Sequence, residues 1–246
     1  MKGLHRISDT PGCEAVGDVF AVRRRSPSLG EEIANSLSHG VGFVAALVAT
    51  PFLVLSGARR GGPAGTVGPG VFAGTVVLLY LASTLYHALP GNRAKRVFRV
   101  IDHCAIFLLI AGTYTPFTLG ILRGAWGWTL FGLVWSLAVL GITLKAVGGI
   151  RYPWLSATLY VGMGWLALIA IRPLWLRMPV LGWLWLIAGG LAYTAGVAFY
   201  AAKRVRYAHF VWHVFVFMGT ACLFVAVLWY AVLQTHAPDG ARDQSC

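Results

Sequence analysis

The sequence predicts an all-α membrane protein, a bundle of seven transmembrane helices whose amino terminus lies in the cytoplasm. Of the 246 residues, 58% are hydrophobic and only 11% are charged, roughly half the charged fraction of an ordinary soluble domain. Apolar runs near the ~20 residues that a helix needs to cross a bilayer recur along almost the whole chain. The basic residues lie in the short segments between these runs, where they usually set topology.

The individual spans follow from the apolar runs and from the Gly, Pro and basic residues that separate them. The shortest separation, Arg123-Gly-Ala, lies between the third and fourth spans. With the amino terminus inside, 14 of the 20 Lys and Arg residues fall on the cytoplasmic side, which is the positive-inside pattern. The predicted spans are 38–58, 66–88, 100–122, 126–147, 153–172, 180–201 and 208–233.

Both ends of the chain are polar and are predicted to be disordered tails. Residues 1–30 form the expected cytoplasmic tail and lack the continuous apolar stretch of a cleaved signal peptide. Residues 31–233 form the predicted transmembrane domain, and residues 234–246 form the carboxy-terminal tail. The net charge of +12 does not indicate a nucleic-acid partner, because the basic residues flank the spans. The four cysteines are scattered and predict no disulfide framework.

Acidic residues are the scarcest type in the predicted bundle. Residues 19–238 contain only Glu31, Glu32 and Asp102. A carboxylate inside a span is costly unless it is paired, hydrated or bound to a metal. Asp102, near the start of span three, is therefore a candidate functional residue. The alternative is a structural role, in which Asp102 caps the helix or pairs with Arg99.

Histidines gather at one end of the predicted bundle. Odd-numbered spans begin at the cytoplasmic face and even-numbered spans end there, so histidines at these span ends share one depth. Five of the seven histidines lie at such positions. They are His39, His87, His103, His209 and His213.

Three of these histidines predict a metal site. His209 and His213 are four residues apart, so both project from one helix face, although interfacial histidine pairs without a metal are common. His87 supplies a third imidazole at the same depth. Three neutral nitrogens plus one open position are typical of a catalytic zinc. Copper, nickel or iron can use the same nitrogens, and zinc is expected for its abundance and lack of redox demands.

Asp102 and Ser83 are the candidate catalytic residues beside this site. Asp102 would orient or deprotonate a water bound to the zinc. Ser83 lies four residues before His87 and faces the same way, one turn deeper, where its hydroxyl could steady a substrate oxygen. The alternative for Ser83 is a hydrogen bond to a carbonyl of its own helix.

A polar stripe leads into span one. Glu32, Asn35 and His39 fall at positions i, i+3 and i+7, and this pattern fits either a hydrated, capped helix start or a group that supports or gates the metal site. His103 points roughly 100° away from Asp102 on a helix, so it is predicted to lie outside the metal site. Pro116 predicts a kinked or loosened span three, because it removes the hydrogen bond to the Gly112 carbonyl that nearby threonines can replace.

The motifs at these residues resemble the hemolysin III family, the bacterial branch of the superfamily that includes the adiponectin and progestin receptors. The similarity to alkaline ceramidases is more distant. The matching segments are EEIANSLSHGVG (31–42), STLYH (83–87), IDHCAIFLLIAGTYTPFTLG (101–120) and HFVWH (209–213). The resemblance implies a seven-helix bundle with its amino terminus inside the cell. It also implies a zinc held by His87, His209 and His213, with Asp102 acting through water and Ser83 adjacent.

Three functions are compatible with these features. The leading hypothesis is a bacterial inner-membrane zinc hydrolase that cleaves a lipid amide or ester and serves membrane lipid homeostasis, with a membrane lipid as its substrate. The second is a sensor or receptor whose zinc only ties helices together. The third is a channel or a cytolytic protein, which fits poorly because a secreted pore-former needs export and a soluble state.

Overall fold

The computed structural model describes residues 26–122, 124–148, 153–202 and 204–232, and these residues are almost entirely helical. The predicted disordered tails therefore lie largely outside the described residues. The α-helices are Leu29–Ala88, Arg93–Pro116, Gly124–Ala146, Pro153–Gly164, Ile171–Arg177, Val180–Ala201 and Ala208–Ala226. The segments Phe117–Leu122 and Val227–Val232 are π-helical, and Trp165–Ala170 is a 3₁₀-helix.

Within the described residues, seven helical stretches are long and apolar enough to cross a membrane, which confirms the predicted fold class. We number them spans one to seven in chain order. They are Leu29–Arg59, Gly65–Ala88, Arg93–Leu122, Gly124–Ala146, Trp154–Arg177, Val180–Ala201 and Ala208–Trp229.

Span one begins earlier than the predicted residue 38, because a capping box starts the helix at Leu29. The Ser28 hydroxyl accepts a hydrogen bond from the Glu31 backbone N–H at 3.3 Å, and the Glu31 carboxylate accepts one from the Ser28 N–H at 2.8 Å. This exchange satisfies two N–H groups that a helix start leaves without partners. The polar stripe of Glu32, Asn35 and His39 therefore belongs to a regular helix.

Spans one and two are separate, as predicted, since the first ends at Arg59 and the second begins at Gly65, although helical structure continues from Leu29 to Ala88. The chain nevertheless reverses direction within that run. A Cβ atom added to Gly57 would lie 2.4 Å from the Gly65 carbonyl oxygen, and the Ser36 hydroxyl donates to the Thr84 carbonyl at 3.2 Å. Two glycines thus let the backbones meet at the reversal, and spans one and two pack as an antiparallel pair.

Span three is the centre of the bundle. In its most apolar stretch 61% of the residues are buried, compared with 17% in span one. Large apolar side chains on the outer faces, including Phe52 and Val139, are exposed in the way expected of a surface that faces lipid. A carboxylate carried by span three, such as Asp102, is therefore held in the interior of the bundle.

Span three loosens at Pro116, as the sequence predicted, since the α-helix ends there and a π-helix follows. Proline lacks the N–H that would continue the α-helical pattern. The neighbouring threonines do bind helix carbonyls, but Thr113 and Thr115 donate to Leu109 and Ala111, both of which precede Gly112. The turn into span four then needs a left-handed residue, and Gly124 supplies it with a φ of 71°.

Span five also changes helix type, and a side chain from span three stabilises the change. The Tyr114 hydroxyl accepts a hydrogen bond from the Ala167 N–H at 2.9 Å and donates to the Gly164 carbonyl at 2.7 Å. Backbone groups freed by the shift from α-helix to 3₁₀-helix are thereby satisfied inside the membrane region.

Candidate metal centre

The predicted site residues meet at the end of the bundle where spans one, three and seven begin and span two ends. The packing of these four spans fixes how each helix is rotated and therefore which side chains face inward. His87, at the end of span two, meets His209 and His213, in the first turns of span seven. The ring centroid of His87 lies 5.1 Å from that of His209 and 5.1 Å from that of His213. The centroids of His209 and His213 are 4.6 Å apart.

The three histidines form a group that can hold a metal ion. Among the described residues, His87, His209 and His213 offer ring nitrogens that all lie within 4.8 Å of one another. This spacing is close to what three nitrogens at about 2.0–2.1 Å from one zinc ion require. His87 and His213 are buried, whereas His209 is half-buried.

The orientation of His87 is set from span one. Its Nδ1 lies 2.6 Å from a carboxylate oxygen of Glu32, whose other oxygen accepts a hydrogen bond from the Lys95 ammonium at 2.9 Å. Since a carboxylate can only accept, Nδ1 of His87 carries the proton and its Nε2 keeps a lone pair. Carboxylate contacts of this kind typically fix the tautomer of metal-binding histidines.

His213 is oriented in a similar way by the same helix. Its Nδ1 lies 3.2 Å from the Asn35 carbonyl oxygen and 3.0 Å from the Ser38 hydroxyl. Because a carbonyl only accepts, Nδ1 of His213 is the donor and its Nε2 is the basic nitrogen. Span one therefore prepares two of the three imidazoles to present Nε2 lone pairs.

The Nε2 atom of His87 gives direct support for a metal ion at this position. Within the described part of the chain, this nitrogen is buried and has no hydrogen-bond partner. Leaving a buried polar atom unsatisfied costs roughly 1–3 kcal/mol. A metal ion between the three rings would satisfy it, so the residues present fit such an ion.

The start of span seven, which positions His209, is held by Glu31. Tyr207 has a left-handed φ of 57°, the sole positive value at a non-glycine residue in the described ranges. Its backbone N–H donates to the Glu31 carboxylate at 3.0 Å. Glu31 thus joins the amino-terminal ends of spans one and seven and sets where span seven begins.

Asp102 and Ser83 lie together in the wall of the same site. Both side chains are buried, and Ser83 is a hydrogen-bonding neighbour of Asp102. Asp102 also interacts electrostatically with His87, but it is outside the group of three metal-binding side chains. Its Oδ2 is 3.9 Å from Nδ1 of His103. A carboxylate next to the histidines but outside their group can act on a water or a substrate held among them.

The structure also places the other histidines that the sequence singled out. His39 is buried and stacks on His213, with ring centroids 3.6 Å apart and an angle of 13° between the planes. His103 lies outside the group of three, and its Nδ1 donates to the Arg99 carbonyl. His39 therefore packs against the ring of His213, whereas His103 lies beside Asp102.

Sequence reasoning gives no role to three residues that shape the site, namely Glu31, Ser38 and Lys95. Glu31 and Ser38 each adjoin a residue of the polar stripe, and Lys95 lies in a basic loop, which by sequence indicates only topology. Their contacts join residues 63 to 176 positions apart in the chain. Local sequence patterns do not report such distant pairings.

Two adjoining cavities lie at and beside the histidine cluster. The first has a volume of about 550 Å³ and includes the three histidines, Asp102 and Ser83 in its lining. The second, of about 330 Å³, lies deeper between spans three, five, six and seven, and its wall is almost entirely apolar. Leu79, Ile106, Trp212 and Val216 line both cavities. A polar centre is therefore joined to a space suited to hydrocarbon.

Comparisons with known proteins agree with this architecture. The model of the family described as "Haemolysin-III related" matches residues 28–224. The chain is 42% identical over 205 residues to the "Hemolysin-3 homolog" of Bacillus subtilis (strain 168), a match that covers 83% of this chain and 96% of that protein. It is 39% identical over 209 residues to "Hemolysin-3" of Bacillus cereus, covering 85% and 95%.

A more distant similarity reaches animals. The chain is 25% identical over 221 residues to the "Monocyte to macrophage differentiation factor" of Homo sapiens, a match that covers 84% of this chain and 87% of that protein. Since the matches to the two bacterial relatives cover nearly their whole length, they apply to the complete bundle rather than to one motif.

Proposed function

This chain belongs to the haemolysin-III-related family of multi-pass membrane proteins, and from that premise we propose that it hydrolyses an amide or ester bond of a membrane lipid. A location in the bacterial inner membrane fits its two bacterial relatives. One observation carries the proposal. A group of three histidines, with a carboxylate and a hydroxyl beside it, lies in a polar cavity that adjoins an apolar one.

The resident metal that we propose is Zn²⁺, held by His87, His209 and His213. Three imidazoles with no fourth protein ligand are typical of catalytic rather than structural zinc. When bound, the ion would supply Lewis acidity and lower the pKa of a bound water to about 7. Copper, nickel and iron use the same nitrogens, and elemental analysis of the purified protein distinguishes them.

The protein's own residues would carry the remaining chemistry. The oxygen of the attacking water bonds to the substrate carbonyl carbon, and Asp102 accepts the proton that this water loses. Ser83 donates a hydrogen bond to the carbonyl oxygen as negative charge develops there. The carbonyl C–N or C–O bond then breaks, and the proton passes from Asp102 to the leaving nitrogen or oxygen. The products are a fatty acid and an amine or alcohol.

The surrounding residues would prepare this step. Glu32 fixes the ring of His87, and the Asn35 carbonyl and Ser38 fix that of His213. The apolar cavity would hold the acyl chain and exclude bulk water from the reacting bond, which strengthens the electrostatic interactions there.

The test is turnover and metal content measured on the same purified variants with a panel of lipid amides and esters. Asp102→Asn should keep most of the zinc and slow release of fatty acid by about 10²–10⁴-fold. Ser83→Ala should keep zinc and slow release by about 10²-fold. The His209→Ala, His213→Ala double variant should lose zinc. Full zinc occupancy in that variant would show that these histidines do not hold the metal. His39→Ala and His103→Ala are the controls, and both should retain the metal.

The second candidate function is that of a non-enzymatic receptor or sensor, in which a metal ion in the same cluster only stabilises the bundle. The three ligands come from spans two and seven, so an ion among them would tie together helices that are distant in the chain. Chelation would then lower thermal stability, and the zinc-loaded protein would release no fatty acid from any lipid of the panel.

A further inference from the structure

Two basic side chains line the same cavity as the histidines. Arg99, from span three, and Lys145, from the end of span four, form part of the wall that also carries Asp102 and His103. Neither Arg99 nor Lys145 belongs to the group of metal-binding side chains. The proposed hydrolysis gives neither of them a part.

Lys145 is held toward the interior of the bundle. A lysine at the end of a span usually extends its side chain along the apolar surface so that the ammonium reaches water. The Lys145 ammonium instead donates a hydrogen bond to the Ser156 hydroxyl at 3.1 Å, and Ser156 is 0% exposed. This contact is not explained by the tendency of basic residues to gather on the cytoplasmic side, since that tendency requires no inward orientation.

Two acids, Glu31 and Asp102, line the same cavity as Arg99 and Lys145. Within residues 26–232 the acids are Glu31, Glu32 and Asp102. Glu32 binds His87 and Lys95, and Glu31 binds the backbone N–H groups of Ser28 and Tyr207. The Glu31 carboxylate therefore serves the starts of spans one and seven, whereas Asp102 is the lining carboxylate that lies beside His103.

The basic groups also interact with one another. Arg99 and Lys145 each lie within electrostatic range of His103 and of each other, while Asp102 lies beside His103. Like charges that converge in one wall repel one another and create a local positive potential that attracts an anion. A metal ion among the histidines would add further positive charge to the same cavity.

We propose that Arg99 and Lys145 form a subsite for an anionic group, a carboxylate or a phosphate, on the head of the lipid that occupies this cavity. As a statement about substrate, this rests on the proposed hydrolysis. It narrows the substrate class to lipids in which the scissile amide or ester joins an acyl chain to a negatively charged head group. The acyl chain would extend into the apolar cavity and the anion would face Arg99 and Lys145.

The experiment compares two amphiphiles that differ in charge and little else. N-lauroylglycine carries a carboxylate, whereas N-lauroylethanolamine ends in a neutral hydroxyl. Binding of each is measured calorimetrically to the purified full chain in a neutral detergent. The wild-type protein should bind N-lauroylglycine about 10-fold more tightly, the typical effect of a charge-assisted hydrogen bond.

Variants assign the preference to the two residues. The Arg99→Gln, Lys145→Gln double variant should bind both amphiphiles within about 2-fold of one another, whereas Arg99→Lys, Lys145→Arg should keep the preference because it keeps both charges. Arg96→Gln is the matched control, since Arg96 is exposed like Arg99 and lies one turn before it, but does not line the cavity. Each single Gln variant should lose part of the preference, which preserves the test if the double variant does not fold.

Three results would overturn the inference. The first is an equal affinity of the wild-type protein for the two amphiphiles. The second is inorganic phosphate or acetate that competes as strongly as N-lauroylglycine, which would mark a site for free anions rather than for a lipid head group. The third is loss of the preference in the zinc-free His209→Ala, His213→Ala variant, which would mean that the metal alone binds the anion.

Failure of the proposed hydrolysis is distinguishable from failure of this subsite. If the protein prefers N-lauroylglycine but cleaves no lipid, the anion subsite is supported and only the proposed hydrolysis is contradicted. A protein that cleaves lipids with no preference for a charged head group shows the opposite pattern.

Discussion

At the scale of single residues, Glu32 connects the cluster of His87, His209 and His213 to the rest of the bundle. One carboxylate oxygen contacts Nδ1 of His87 at 2.6 Å, and the other accepts a hydrogen bond from Lys95 at 2.9 Å. The Lys95 ammonium and the His87 N–H hold the carboxylate in place, and the carboxylate in turn fixes the ring. A metal ligand that is already oriented loses less side-chain entropy when the ion binds.

Replacing Glu32 should therefore weaken metal binding without removing any ligand. We expect Glu32→Ala to raise the zinc dissociation constant by about 10–100-fold, because the His87 ring loses the partner that fixes its tautomer and orientation. Competition with a chelator of known affinity measures this change.

Glu31→Ala provides the matched control for Glu32→Ala. Glu31 accepts hydrogen bonds from the Ser28 and Tyr207 backbone N–H groups, so its loss should lower the free energy of unfolding by about 1 kcal/mol through the helix cap. Zinc affinity should change less than in Glu32→Ala. Wild-type zinc affinity in Glu32→Ala would show that the carboxylate does not support the metal.

At the scale of helices, close approach between spans two and three determines where Asp102 and Ser83 meet. A Cβ atom on Gly112 would lie 2.2 Å from Oγ1 of Thr75, and that hydroxyl is already bound to the Phe72 carbonyl at 2.8 Å. Since the threonine is fixed by its own hydrogen bond, the helix backbones would have to separate.

The Gly112→Ala variant should consequently lower the free energy of unfolding by about 1–3 kcal/mol, the usual cost of overpacking. Gly132→Ala serves as the control, because nothing lies within 4 Å of the added methyl group and alanine favours a helix by up to about 1 kcal/mol. Thermal unfolding in detergent compares the two, and Thr75→Ala combined with Gly112→Ala should recover part of the loss. Equal stability of the two single variants would contradict the close packing.

At the scale of the whole molecule, the histidine cluster occupies one end of the bundle because three spans begin there and span two ends there. The distribution of Lys and Arg predicts that this end faces the cytoplasm. A lipid substrate would then reach the site from the inner leaflet of the membrane.

Reporter fusions test that orientation. A reporter active only in the cytoplasm should work when fused after Arg204, between spans six and seven. A reporter active only after export should work when fused after Arg177, between spans five and six. The reverse pattern would place the histidine cluster at the outer face and would require a substrate from the outer leaflet.

The sequence by itself determined the seven spans and the depth of the polar residues. Hydrophobic length fixes where a helix enters and leaves a bilayer, and this alone assigns His87, His209 and His213 to one level. The spacing of His209 and His213 also fixed their shared helix face. Pro116 predicted that span three would kink or loosen, since its effect on the backbone is local.

Only the tertiary structure decided how each helix is rotated and how closely it approaches its neighbours. The choice between Nδ1 and Nε2 at His87 and His213 depends on Glu32, Asn35 and Ser38, which belong to another helix. The inward contact of Lys145 with Ser156 likewise crosses between spans. Hydropathy constrains depth along the membrane normal, whereas rotation about the helix axis follows from side-chain packing between segments that are distant in the chain.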